Sequence, residues 1–215
     1  MAVTTKRPIV LGVELLLTER VNLLHGARVG VVCNQASVNH DYVHAADLFH
    51  QHPEINLTTL FGPQHGIRGD VQDNMIETGP ATDRTTGLPI YSLYSETREP
   101  SAEMLREVDI IVVDLQDVGT RIYTFVYTLA NCMRAAKKLN KKVIACDRPN
   151  PINGTQLEGV VLDPAFASFV GQFPIATRHG MTFCELGRMF NDAFGIGCDL
   201  DIAKQNLIDL KSEIR

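Results

Sequence analysis

The sequence predicts an α/β domain built on an open, mostly parallel sheet with helices on both faces. Three observations predict it. Short runs rich in β-branched residues recur along the chain, helical patterns lie between them, and each run opens into polar, glycine-bearing sequence. Strands that alternate with helices form βαβ units, and their crossovers make neighbouring strands parallel.

The first predicted strand covers 28–34 (RVGVVCN) and the second 56–62 (NLTTLFG). The third, 109–115 (DIIVVDL), and the fourth, 142–147 (KVIACD), are nearly continuous apolar runs, as in strands covered on both faces. Between the first two, 42–52 places apolar residues at 45, 48 and 49 and predicts a helix. Residues 101–108 form a short amphipathic segment with Ser101 as its N-cap. Over 122–139, apolar residues at 122, 125, 126, 129, 133 and 136 repeat with a helical period. The stretch 148–174 holds Pro149, Pro151, Pro164 and Pro174 with Gly154, Gly159 and Gly171, and predicts loop with short strands. A helix over 182–194 begins with a capping box, Thr182 with Glu185 three residues on, and stops at Gly195.

Composition narrows the function classes. At 215 residues and 45% hydrophobic, the chain can bury a core without disulfide or metal staples. A net charge of −5 argues against a nucleic-acid partner, whose phosphates demand a basic face. The one basic cluster, Lys137, Lys138, Lys141 and Lys142, reads as the solvated end of a helix, where cations suit the dipole. Five cysteines, at 33, 132, 146, 184 and 198, include no C-x-x-C pair and lie mostly in apolar stretches. They read as buried free thiols in a reducing compartment. Glu14 interrupts the early apolar run and no small-residue cleavage site follows, so no signal peptide is expected. A cytoplasmic location follows, or a periplasmic or secreted one if the N-terminus is incomplete. No apolar stretch approaches the roughly 20 residues of a membrane span. Oligomeric state is not legible.

In open α/β sheets, ligands bind beyond the carboxyl ends of the strands. Three such loops carry the polar chemistry: 61–70 (FGPQHGIRGD), 114–123 (DLQDVGTRIY) and 147–158 (DRPNPINGTQLE). Arg68, Arg121, Arg148 and Arg178 fall in or near them, with His65 and His179. Together they suit a polar, polyhydroxylated or anionic ligand. Structural readings stand beside the functional ones. His65 could cap a turn, Asp114 a helix, and Asp117 could pair with Arg121. Asp147, Arg148 and Pro149 could form a rigid turn. Glu158 precedes an apolar stretch, where a carboxylate is paired or hard to ionise. His40 and His44 are too few for a metal site, and none is expected. No P-loop, no G-x-G-x-x-G after the first strand and no G-x-S-x-G elbow is present, so no nucleotide cofactor is expected.

Five ordered blocks then carry a resemblance: FGPQHGIRGD, TGLPIYSLY, DLQDVGTRIYTFVYTL, DRPNPINGTQLEGVVLD and FPIATRHGMTFCELG. They resemble the signature blocks of the bacterial exo-β-N-acetylmuramidase family, often called NamZ or YbbC, from about residue 10 to about 200. The resemblance implies a Rossmann-like domain over 1–202 and a divergent tail over 203–215. The family's smaller C-terminal domain, which closes the active-site cleft, is expected to be missing. It also implies release of N-acetylmuramic acid from the non-reducing ends of peptidoglycan fragments, a substrate of the MurNAc-GlcNAc type, and no cofactor. Where the family has Glu in its Pro-Glu-His-Gly block, this chain has Gln64, which cannot ionise or transfer a proton as a carboxyl can. A non-catalytic muropeptide-binding domain, or an inactive remnant, is therefore the alternative.

Glycosidases typically use two carboxyl groups. On the resemblance, Glu158 is expected as general acid, kept protonated by its apolar neighbours. Its partner is Glu77, Asp114 or Asp117. Gln64 and His65 are expected to bond the sugar or orient water. An arginine among 68, 121, 148 and 178 would bind the lactyl carboxylate. Tyr123, Asn150 and His179 complete the expected sugar contacts.

Overall fold

The computed structural model describes residues 9–69, 81–94 and 97–204. The elements, in order, are α1 (Gly12–Thr18), β1 (Arg28–Cys33), α2 (Ala45–Gln51), β2 (Asn56–Gly62), β3 (Ala81–Thr82), β4 (Pro89–Ser92), β5 (Ile110–Asp114), α3 (Phe125–Leu139), β6 (Lys142–Cys146), α4 (Phe183–Asp192) and β7 (Asp199–Ala203). The strands form one sheet in the order β3-β4-β2-β1-β5-β6-β7. Every pairing is parallel except β3 with β4.

Alternation along each strand divides the core in two. Ile110 and Val112 of β5 face one side with Val29 and Val31 of β1 and Ile144 of β6, under α1 and α2. Ile111 and Val113 face the other with Val143 and Ala145, under α3 and α4. The chain builds leftward from β1 through β2 to β4, then returns to place β5 on the other flank of β1. The loops after β1 and β5 therefore diverge at a topological switch point, the standard crevice of open α/β sheets.

All four predicted strands form, each within a residue or two of its expected ends. Thr182 and Glu185 make the reciprocal capping box of α4, and Gly195 follows its end with φ +75°. The five cysteines are free and buried, and burial raises the Cys132 thiol to about 12 and the Cys198 thiol to about 11. No helix among the described residues is long and apolar enough to cross a membrane.

Several expectations change. Residues 101–108 form turns rather than a helix: Leu105 N–H reaches the Ser101 carbonyl, but the next bonds, Arg106 to Glu103 and Val108 to Leu105, span only three residues. One α-type bond does not offset helix nucleation, and buried Leu105 and Val108 anchor the segment instead. Helix α2 starts at Ala45 rather than 42, because Tyr42 takes φ +60° and the His44 ring accepts the Ala46 N–H as a cap. Helix α3 starts at Phe125, leaving Ile122 60% exposed. The short strands expected in 148–174 reduce to isolated bridges, Glu158 with Arg178 and Ser168 with Gly171. Helix α1 and strands β3, β4 and β7 escape the periodicity reading: Glu14 interrupts α1, β3 and β4 have four residues or fewer, and aspartates break the apolar run of β7.

Candidate functional site

Asp114 ends β5 and Arg148 follows β6, so adjacent parallel strands deliver both to the carboxyl edge. Arg148 Nε lies 2.7 Å from Asp114 Oδ1 and Nη2 lies 2.8 Å from Oδ2, with both side chains buried. Burial opposes the Arg148 charge, but the Asp114 carboxylate outweighs it and holds the guanidinium above its usual value. Arg148 Nη2 also donates to the Val38 carbonyl, and Ser37 Oγ donates to the Asp114 carbonyl. The pair thus seals the floor of the switch-point crevice and ties the β1, β5 and β6 loops together. Both residues were candidates for chemistry, Asp114 as a carboxylate partner and Arg148 as an anion ligand. Here each spends its charge on the other, and Asp114 caps no helix.

The next carboxylate, Asp117, is also buried. Its Oδ2 accepts the Gly119 N–H at 2.7 Å and lies 3.1 Å from His179 Nε2. The Asp117–His179 contact is close but out of line for a straight hydrogen bond, and Asp117 Oδ1 has no partner among the described residues. His179 Nδ1 accepts the Met181 N–H, so the ring proton sits on Nε2 and faces the carboxylate. His179 is fully buried and braces the 117–121 loop against 177–181; it offers no surface to a sugar. The expected Asp117–Arg121 pair does not form. Gly119 takes φ +86°, and a Cβ there would lie 2.5 Å from Asn150 Oδ1 and from Ile152 Cγ1. Asn150 is likewise committed to the fold. Its Nδ2 donates to the Met181 carbonyl and its Oδ1 accepts the Ile152 and Asn153 N–H groups.

Above this buried layer lies an open rim. Glu158 pairs backbone to backbone with Arg178, and its Oε1 accepts from Arg178 Nη1 at 2.9 Å. The Glu158 side chain is 62% exposed. The apolar neighbours expected to desolvate it, Val160 and Val161, are themselves exposed, 75% and 62%. Arg121 joins the same rim: its N–H donates to the Thr177 carbonyl, and its Nη1 to the carbonyls of Val160 and Ile175 at 2.8 and 2.7 Å. Tyr123 is partly exposed and packs edge-on against Phe125, ring centroids 4.7 Å apart. Burial, with Asp117 nearby, raises its hydroxyl pKa and keeps it a neutral donor.

Across the switch point, the loop after β2 forms the other bank. Gln64 and His65 are half-buried in it, and His65 takes φ +74°, a left-handed conformation uncommon outside glycine. Arg68 is spent internally. Nε and Nη2 bond Asp83 at 2.8 and 2.9 Å, and Nη1 and Nη2 bond Asp47 at 3.1 and 2.7 Å. Arg68 in turn lowers the Asp83 pKa to about 2. Glu77 lies outside the described residues. His44 was weighed only as a metal ligand. Its Nε2 lies 2.9 Å from the Asn34 carbonyl and 3.0 Å from that of Ile67, which links the β1 and β2 loops. No group of His, Cys, Asp and Glu among the described residues could hold a metal.

The structure therefore brings Glu158, Arg178, Arg121 and Tyr123 together on an accessible rim. It places Asp114, Asp117, Arg148, Asn150 and His179 beneath as supports, and Gln64, His65 and Arg68 on the opposite bank. Sequence reading passed over Asp83, Asp47 and Gln116. Gln116 Nε2 donates to the Asp117 and Pro149 carbonyls, tying two loops. Gln116 lies within a quoted block and Asp83 just before one, while Asp47 carried no signal, because its partner Arg68 is distant in the chain.

Comparison with known proteins agrees with this architecture. Residues 29–209 match the family model for the N-terminal region of exo-β-N-acetylmuramidase NamZ. The peptidoglycan β-N-acetylmuramidase NamZ of Bacillus subtilis (strain 168) is 46% identical over 202 residues, covering 94% of this chain and 49% of that protein. Two crystal structures of DUF1343 family proteins from Bacteroides fragilis NCTC 9343 superpose on the fold. One has a TM-score of 0.85 at 41% identity and covers 92% of this chain and 50% of the other. The second has a TM-score of 0.79 at 30% identity, with coverages of 94% and 53%. The chain spans about half the length of these relatives.

Proposed function

The chain belongs to the NamZ N-terminal family, and on that premise we propose that it carries the sugar-binding floor of an exo-β-N-acetylmuramidase. The substrate would be a peptidoglycan fragment of the MurNAc-GlcNAc type, cleaved to release N-acetylmuramic acid from its non-reducing end. The observation that carries the reading is Arg121. Of the four arginines, 68 and 148 are saturated by carboxylates and 178 is shared with Glu158. Arg121 has no carboxylate within ion-pair distance among the described residues, and two carbonyls orient it. A lactyl carboxylate distinguishes muramic acid from glucosamine, and a pre-oriented guanidinium is the group that recognises it.

Glu158 is the proposed general acid. That role calls for burial the open rim does not supply. Its chain neighbours Leu157, Val160 and Val161 are exposed apolar side chains. The relatives are about twice as long, and we assign to their additional half the closure of this rim over the sugar. Gln64 favours a second reading, binding without cleavage, because it sits where the family carries an ionisable Glu.

The experiment is incubation of the chain with MurNAc-GlcNAc, mass spectrometry for free MurNAc, and calorimetry on the same mixture. Release of MurNAc supports the hydrolase. Binding without release supports the second reading. Neither binding nor release removes both.

A further inference from the structure

Helices α3 and α4 run antiparallel to the strands they cover, so their last turns lie at the end of the sheet opposite the rim. Between those turns is a cleft of about 310 Å³, lined by Arg134, Lys137, Lys138, Phe173, Phe194 and Ile196. That is the lower end of the size range of small-molecule sites. One wall is aromatic: Phe173 and Phe194 stack with centroids 5.2 Å apart, and Phe190 backs Phe173 at 4.1 Å. The other wall is cationic.

Lysines in the last turn of a helix are ordinary, since they complement its dipole. Lys138 already bonds Glu99 at 2.5 Å. Arg134 is different. It sits a turn further in, with its guanidinium 5.2 Å from the Phe173 ring. Its Nη1 donates to Asn131 Oδ1 at 2.7 Å and Gln172 Oε1 at 2.6 Å, both neutral acceptors. Among the described residues, no carboxylate lies within ion-pair distance of Arg134 or Lys137. Burial lowers the Arg134 pKa, with the more distant Glu99 opposing that shift. A partly buried cation without a counter-charge is costly, and two amide oxygens hold this one in a fixed orientation. At Gly195, on the cleft's edge, an added Cβ would meet nothing within 4 Å among the described residues, which leaves that edge open.

We propose that this cleft binds a ring-bearing phosphate monoester, its ring against Phe173 and Phe194 and its phosphate between Arg134 and Lys137. A phosphate monoester carries close to two negative charges at neutral pH, matching the two uncompensated cations. Guanidinium presents paired donors to phosphate oxygens, and ammonium adds a point charge. The site is independent of the rim and of any glycosidase activity.

The test is a nitrogen-15 NMR titration of the chain with phenyl phosphate, using inorganic phosphate and phenol as comparators. Phenyl phosphate is expected to shift the Phe194, Gly195 and Ile196 amide signals saturably below about 1 mM, and about tenfold more tightly than either comparator. Lys137→Gln changes an exposed side chain and keeps the fold. It is expected to weaken binding about tenfold, as is Arg134→Lys, which keeps charge but loses the paired donors. Three results would each overturn the proposal. They are no saturation by about 10 mM, affinity unmoved by both substitutions, or a comparator that binds as tightly as phenyl phosphate.

Discussion

Asp114 and Arg148 meet as a buried two-pronged ion pair, 2.7 and 2.8 Å long, at the carboxyl ends of adjacent strands. Removing one partner strands the other's charge in the interior, at a cost of about 3–5 kcal/mol. Asp114→Asn is therefore expected to lower the urea midpoint sharply while leaving the slope unchanged. A variant as stable as the parent would remove the pair from its role as floor of the crevice.

Arg68 and Asp83 make the corresponding lock on the other bank, and it is sensitive to acid. Arg68 holds the Asp83 carboxyl at about 2, below its ordinary value of 3.8. A depressed carboxylate adds stability that is full above the unfolded value and fades as pH falls through the folded one. Unfolding free energy is thus expected to drop between about pH 4 and pH 2, and Asp83→Asn should flatten part of that drop. The check is a series of denaturant melts across this range.

Gly119 is the hinge on which the 117–121 loop turns, and no other residue fits there. With φ +86° and contacts of 2.5 Å awaiting a Cβ, Gly119→Ala is expected to cost about 1–3 kcal/mol in backbone strain alone. It should also displace Asn150 and Ile152. Thermal unfolding and calorimetry with MurNAc-GlcNAc would register the two effects separately.

Arg121→Gln tests anion recognition on the rim. Losing a charge-assisted contact of about 1.5–3 kcal/mol should weaken MurNAc-GlcNAc binding by roughly ten- to a hundredfold. Binding of chitobiose, which lacks the lactyl group, should hardly change. Equal losses on both sugars would mean that Arg121 shapes the loop rather than reads the carboxylate.

Two substitutions separate catalysis from binding. Glu158→Gln is expected to lower turnover by about two to four orders of magnitude with little change in affinity, as loss of a general acid would. Gln64→Glu is expected to raise turnover. If Gln64→Glu leaves the rate unchanged, its neutral side chain is not what limits this chain.

The four central strands were legible because β-branched runs of five to seven residues between polar loops leave little choice of conformation. The capping box at Thr182 and Glu185 was legible for the same reason, being a bond between near neighbours. The two-residue β3 and four-residue β4 were not, since so short a strand exists only through the partner it pairs with, and in β7 (DLDIA) two aspartates break the apolar run. The site divides along the same line.

Sequence alone determined the parallel sheet, the loops that bear the polar residues and the family to which the chain belongs, because those follow from local periodicity and contiguous motifs. Only the tertiary structure decided which polar residues are free to act. Asp114 with Arg148, and Arg68 with Asp47 and Asp83, cancel one another across 34, 21 and 15 residues of chain. Arg121 and Glu158 are left at the surface. Charges that look alike in sequence differ once folded, because burial makes an ion pair obligatory for some, while solvent leaves others available to a ligand.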